Sequence, residues 1–397
     1  MGMFLPLPRT VVVLGLVSFL NDTASEMITP LLPVFLTAAL GAGPAVVGLV
    51  EGVAEATASI LKLISGRLAD RGWNSKHLVV GGYTVSNTAR PLIGLALGWG
   101  WVLVLRFLDR VGKGIRTAPR DALISVSTNA DQRGMAFGFH RALDNAGAMF
   151  GPLIAFALLS AGLEMSHVFL LSVVPGLLVI LLLATQLPAP PPALPVVSLP
   201  TLSWKALDRR LRGLILAAGG LALATAPEVF LVLWARARGL EIAWVPLIWA
   251  GASAVKALVA APAGTLSDRL GRVPVLIIGW GLRVGVLVAL GLAGSGALTL
   301  WGLFLAYAAT LALTEGAERA LIGDHAPQNQ RATAYGIYHM ISGLLALPGA
   351  VLFGVVWEWL GEAAAFFTAA TLTGLAVSLL LSIALGAHRR LEGNTPG

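Results

Sequence analysis

Apolar residues in this chain come in long unbroken blocks, most of them close to the ~20 residues that carry a helix across a bilayer. They occupy 10–38, 44–69, 77–97, 101–123, 133–160 and 166–187, and then 211–235, 243–266, 273–294, 298–322, 332–357 and 363–386. The blocks are continuous rather than alternating over about ten residues, which excludes a membrane β-barrel. Long polar connections are lacking, so there is no material for a large soluble core. The pattern predicts an all-α integral membrane protein with twelve spanning helices.

Between the two sets of six lies "LPAPPPALPVVSLPTLSWKALDRRLR" (187–212). Its prolines disfavour helix and support an extended spacer, and its basic end suits an anionic inner leaflet. The expected organisation is a six-helix half over 1–187, a cytoplasmic Pro-rich linker over 188–210, and a second six-helix half over 211–397.

Charge sharpens this picture. Only 12% of residues are charged, against about a quarter in soluble proteins. The basic ones gather in alternate turns: Arg67, Arg71 and Lys76; Arg116, Arg120 and Arg133; Lys205 to Arg212; Arg269 and Arg272; Arg319 and Arg331; Arg389 and Arg390. The intervening turns are nearly bare, with Arg236 and Arg238 as exceptions. By the positive-inside rule both termini are cytoplasmic, and Trp99, Trp101, Trp234, Trp244, Trp301, Trp357 and Trp359 form an outer aromatic belt. This distribution, rather than a nucleic-acid footprint, accounts for the net charge of +7. The opening "MGMFLPLPRT" lacks a secretory cleavage pattern, so the first span is expected to stay as an anchor. The absence of cysteine excludes disulfides and thiolate metal sites.

The chain also repeats itself. "GRLADR" (66–71) returns as "GTLSDR" (264–269), an offset of 198. The same offset lays "RDALI" (120–124) on "ERALI" (318–322), "DQRGMAFGF" (131–139) on "NQRATAYGI" (329–337), and Gly151 on Gly349. A gap of four then places Thr23 and Glu26 on Thr225 and Glu228. Two six-helix halves of the same orientation are implied, a design that rocks around a site near the bilayer midplane.

With these residues in view, the chain resembles the major facilitator superfamily of secondary transporters over essentially its whole length. That family repeats Gly-x-x-x-Asp-Arg-x-Gly-Arg in two inner turns. The second copy here is complete in Gly264, Asp268, Arg269, Gly271 and Arg272, whereas the first keeps Gly66, Asp70 and Arg71 and then departs as "GWNSKH". Glycine lets helices approach, and a carboxylate beside arginines can latch one state of a gate. Arg116 and Arg120 join these as gate or topology residues at the expected cytoplasmic rim.

Span five carries Gly138, Gly147, Gly151 and Pro152 in the spacing Gly-x8-Gly-x3-Gly-Pro. It resembles the family's antiporter motif, although Ala155 and Phe156 replace the closing Gly-Gly; the bare alternative is helix packing by small residues. Span four resembles the drug-exporter motif through Arg106, Phe107, Leu108, Gly112 and Gly114. Asp109 and Arg110 depart from it, and Lys113 adds a further charge, so a plain pocket for hydrophobic cations is in doubt.

An intramembrane charge costs about 2.5–3.5 kcal/mol on insertion scales and so implies a partner or a wet cavity. Asp22 and Glu26, four apart on one face of span one, are the first candidates for proton coupling, followed by Asp109, Asp144 and Glu228. Arg106, Asp109, Arg110, His140, Arg141, Glu315 and Tyr338 are the candidates for substrate contact, with an anionic or zwitterionic molecule favoured by the arginines. For each carboxylate a permanently paired structural ion is an equally good reading.

The expected function is a proton-coupled exporter of a small organic molecule, resident in the inner membrane, working as a monomer by alternating access. The alternatives are a proton-coupled uptake symporter and a transporter of lipid or of a metal or metal chelate on the same fold. Without H-E-x-x-H, G-x-S-x-G or a P-loop there is no catalytic constellation and no ATP drive. Neither a cofactor nor a resident metal is expected, and no nucleic-acid partner.

Overall fold

The computed structural model describes residues 7–71, 73–129, 133–188, 204, 207, 209–294, 296–325 and 331–392. Most of the connection over 188–210 lies outside these, as do the side chains of Asp70, Arg133 and Arg331. Among the described residues every regular element is helical.

The first half is built from α1 (Arg9–Glu26), α2 (Leu32–Val34), α3 (Pro44–Asp70), α4 (Ser75–Leu92), α5 (Trp99–Val126), α6 (Arg133–Ser160), α7 (Met165–Leu171) and α8 (Val173–Gln186). The second contains α9 (Arg209–Ala224), α10 (Glu228–Ala237), α11 (Val245–Leu270), α12 (Arg272–Leu292), α13 (Ala297–His325), α14 (Arg331–Leu360) and α15 (Glu362–Glu392). Nine helical segments among the described residues are long and apolar enough to cross a membrane. The polar and charged residues of α1, α4 and α5 keep those three outside that set.

The blocks over 10–38 and 211–235 are each interrupted rather than continuous. The first turns out of helix after Glu26, ahead of Pro30 and Pro33, and resumes as α2 and a π-helical turn over Phe35–Ala39. The second stops at Ala224 and restarts at Glu228, directly after Pro227. Proline removes a donor and disfavours helix in the residue before it, which accounts for both breaks. Side chains support both breaks: Thr29 Oγ1 donates to the Ser25 carbonyl at 2.9 Å, and Tyr307 Oη, from α13, to that of Ala226 at 2.6 Å.

The chain packs as two compact units. One comprises Met1–Ala42, Val53–Leu199 and Glu241–Ala250, the other Gly43–Gly52, Pro200–Leu240 and Gly251–Gly397. In the first unit α1 packs on α6 and α8, and α4 on α5 and α8. In the second, α9 packs on α14 and α15, and α12 on α13 and α15. Under the internal repeat these are the same pairings. Each unit has its own apolar centre, around Val11, Leu14, Val79, Tyr83 and Leu183 in one and Leu211, Ile215, Trp280, Leu321 and Ile337 in the other.

Small residues set the closest crossings. A β-carbon at Gly151 of α6 would lie 2.6 Å from the Thr23 carbonyl oxygen of α1, and one at Gly147 would collide with that of Phe19. The repeat-related Gly349 of α14 presses in the same way on the Leu223 carbonyl of α9. Gly82 and Gly112 bring α4 and α5 into backbone contact, and no side chain fits between them. Arg238, one of the two basic residues out of place for the positive-inside pattern, has a local task. It stacks 4.4 Å from the Trp234 ring, pairs with Glu362 at 2.8 Å and donates to the Ala293 carbonyl at 3.0 Å.

Candidate functional site

Two polar clusters lie within the first unit. Glycine contacts draw α4 and α5 together, and on that seam Asp109 is fully buried among arginines. Its carboxylate meets Arg90 Nε at 2.6 Å, Arg106 Nη1 at 3.5 Å and Arg110 Nε at 3.6 Å. Arg90 also donates to the Asn21 side chain at 3.0 Å, tying in α1. Arg116, expected at the cytoplasmic rim, is 4% exposed. It lies 4.5 Å from the Tyr83 ring and donates to Ser86 Oγ at 2.6 Å. The candidates Arg106, Asp109 and Arg110 are thus brought together, in a helix seam rather than along an open wall.

The second cluster forms where Gly147 and Gly151 bring α6 against α1. Asp22 and Asp144 stand within hydrogen-bonding reach of each other. Ser18 Oγ donates to Asp144 Oδ1 at 2.7 Å, Arg141 Nη1 to Asp144 Oδ2 at 3.2 Å, and Asn21 Nδ2 to Asp22 Oδ1 at 2.9 Å. Arg120 reaches Ser18 Oγ at 3.4 Å and pairs with Asp121 at 3.0 Å. Buried His140 sits among Arg120, Asp121, Arg141 and Asp144, its Nε2 without a hydrogen-bond partner. Glu26, by contrast, accepts from Trp249 Nε1 at 2.9 Å. The structure therefore gives Asp22 a carboxyl partner on another helix in addition to its neighbour four residues on.

In the second unit Glu228 opens α10 after the proline break, and both its oxygens lie 3.0 Å from Lys256 Nζ. Glu315 pairs with Arg319 at 2.6 Å on an exposed face. Tyr338 instead donates to Glu318, at 3.4 Å, whose other oxygen accepts from Trp280 Nε1 at 3.1 Å. Of the gate residues, Arg272 holds Asp268 at 2.5 Å and Asp324 at 3.2 Å. Arg269 is exposed, Arg71 lies just past the end of α3, and Gly66 faces the Ala118 methyl, 3.3 Å from where its own β-carbon would be. Gly138 and Gly264 have open space around them.

Ser18, Asn21, Ser86, Arg90 and Trp249 belong to these clusters although sequence spacing does not single them out. Each contact joins separate helices, consecutive ones in the case of α4 and α5, and no local pattern connects them. The only advance signal was the glycine spacing of span five, which marks a close crossing without naming its partner.

These clusters lie in a helical membrane scaffold that repeats its pairings, and comparison with known proteins places that scaffold. The Major Facilitator Superfamily family model matches residues 14–255. An MFS-type transporter of Methanocaldococcus jannaschii is 33% identical over 362 residues, covering 89% of each chain. The chain belongs to the major facilitator superfamily. It is accordingly a multi-pass secondary transporter rather than an enzyme, acting on small molecules within the membrane.

A Mycobacterium tuberculosis protein is 31% identical over 373 residues, 88% of this chain and 87% of its own. The multidrug resistance protein MdtH of Photorhabdus laumondii is 31% identical over 134 residues, only 34% of this chain and 33% of that one. Among solved structures, a bacterial homologue of the human lysosomal transporter Spinster superposes with a TM-score of 0.79 at 16% identity, covering 94% of this chain and 96% of that one. A peptide transporter in complex with sulfate gives 0.79 at 14%, covering 98% and 96%. At those identities the likeness is one of fold alone, and it is the family's all-α membrane fold.

Proposed function

We propose that this superfamily member exchanges protons for a small organic molecule, anionic or zwitterionic, and moves that molecule out of the cell. The observation that carries the reading is the contact between Asp22 and Asp144 where α1 crosses α6. Two carboxylates at that separation repel strongly, so the pair holds one proton between them, and that proton belongs to the pair rather than to either residue. Ser18 and Arg141 also hold this pair in place, through their contacts with Asp144. A proton held this way leaves when the surroundings of the pair change, and a change of surroundings between two states is what alternating access provides.

Export is favoured by two observations. Two glycines of the antiporter-like spacing, Gly147 and Gly151, seat α6 on α1 at the carboxyl pair. The partial likeness to multidrug resistance proteins points the same way. The remaining elements of the proposal are twelve spans in two parallel halves, 1–187 and 211–397, joined by a cytoplasmic linker over 188–210. Both termini lie in the cytoplasm, and the protein works as a monomer in the inner membrane. Gly66, Asp70, Arg71, Arg120, Gly264, Asp268, Arg269 and Arg272 serve the inner gate. Glu228, with Lys256, is the second half's contribution to coupling.

The test is proton flux in proteoliposomes driven by panels of organic anions, zwitterions and cationic dyes. Asp22→Asn and Asp144→Asn are expected to abolish substrate-driven proton movement. Unchanged proton flux in both variants refutes the coupling role of the pair.

A further inference from the structure

Lys113 lies mid-way along α5 (Trp99–Val126), inside the block over 101–123 that the sequence marks as a span. Among the described residues its ammonium forms no hydrogen bond and no ion pair. It is exposed, on the same helix as fully buried Asp109 and buried Arg116. Beside it α5 is pressed onto α3, since a β-carbon at Gly114 would stand 2.5 Å from that of Leu61. Two acidic groups from other helices face it, Glu55 of α3 and Asp22 of α1, and Arg110 and Arg116 face it from its own helix. Neither carboxylate closes to ion-pair distance. A lysine within a span requires a counter-group or water, and a substrate carboxylate would supply that counter-group.

Asp22 is also the residue that shares a proton with Asp144. The groups facing that pair are Lys113 and Arg120 from α5, Glu26 and Ser18 from α1, and His140 and Arg141 from α6. One free cation and one carboxyl pair thus stand side by side, opposite in sign and both accessible. We infer that the substrate is a small zwitterion joining a primary amine to a carboxylate, with its carboxylate on Lys113 and its ammonium on the Asp22–Asp144 pair. The inference rests on the proton-coupling reading above and adds the substrate class and a binding residue, Lys113.

The exchange balances without covalent change. The substrate's ammonium brings a full positive charge to the pair, and the shared proton leaves to water. The carboxylate meanwhile neutralises Lys113, so net charge at the site rises by neither step. A bare amine would displace the proton but leave Lys113 unmatched, and a bare carboxylate would match Lys113 but leave the proton in place.

The experiment uses the full-length protein in detergent, weakly buffered, with a pH indicator to count protons and a melting curve to report binding. Three probe pools are compared: the protein amino acids with their dipeptides, the matched amines lacking the carboxylate, and the matched acids lacking the amine. The zwitterion pool is expected to release about one proton per protein and to raise the melting temperature. Lys113→Gln should weaken the apparent affinity about 10- to 100-fold, the loss of one charge-assisted hydrogen bond, and Lys113→Arg should restore it. The parental melting temperature of ligand-free Lys113→Gln shows that the variant folds. An amine pool that raises the melting temperature as much as the zwitterion pool overturns the zwitterion assignment while leaving the carboxyl pair as the proton site. An unchanged zwitterion response in Lys113→Gln, or no response to any pool, also overturns it. Proton release that persists in Asp22→Asn and Asp144→Asn sinks the coupling reading itself.

Discussion

Asp109 offers the sharpest test of what the charged stretch of α5 is for. Asn replaces it nearly atom for atom, so Asp109→Asn removes charge while keeping shape. Its carboxylate faces guanidinium nitrogens at 2.6, 3.5 and 3.6 Å, and the side chains of Arg90, Arg106 and Arg110 are only 3%, 2% and 10% exposed. Breaking a buried pair by deleting one partner costs about 3–5 kcal/mol. Three cations losing a common counter-ion belongs in the upper part of that range, which shifts the folding equilibrium by about three powers of ten. The assay is reversible unfolding in mixed micelles, followed by tryptophan fluorescence. Arg90→Gln combined with Asp109→Asn should cost less than the sum of the two single changes, because the double variant deletes the closest pair together. A single variant within about 0.5 kcal/mol of the parent would refute the reasoning. If such a variant folded normally but lost transport, Asp109 would be a substrate ligand and not the centre of a helix seam.

Other perturbations follow from the same contacts. Gly147→Ala places a methyl against the Phe19 carbonyl and should cost about 1–3 kcal/mol. Gly138→Ala, with open space around it, should stay within about 0.5 kcal/mol, and parallel thermal unfolding distinguishes the two. Arg238→Ala forfeits the Glu362 ion pair and the Trp234 stacking together, and a loss of about 1–3 kcal/mol is expected in the same assay. Arg272→Ala loses exposed partners, so its stability should change by less than about 1 kcal/mol. The rate of transport is where its loss should show, and an unaltered rate would remove Arg272 from the gate.

The fold was legible because a bilayer leaves few solutions for a backbone without water. Continuous apolar blocks, basic turns and one repeat offset mark out the helices and their family from sequence alone. The interruptions at 27–31 and 225–227 were not legible in this way, because hydropathy runs straight through the prolines that cause them. The polar clusters were half legible. Spacing along α1 joins Asp22 to Glu26, whereas folding adds Asp144 to Asp22 and lends Glu26 to an indole. Arg90 reads as a stray charge on a peripheral span, because its partner Asp109 is nineteen residues away on the next helix. Such contacts depend on where two helices cross, and in this chain glycine fixes the crossing without revealing what will face it.

The α1–α6 crossing and its repeat-related counterpart, α9 against α14, show what duplication did to this protein. The glycine survived in both copies, as Gly151 and Gly349, each pressed on a carbonyl of the partner helix. The acids did not. At the positions that correspond to Asp22 and Asp144 the second copy has Ala224 and Ser342. One ancestral crossing has therefore become two joints of the same mechanical form, only one of which can carry charge. At this crossing the two halves share an architecture and not a chemistry.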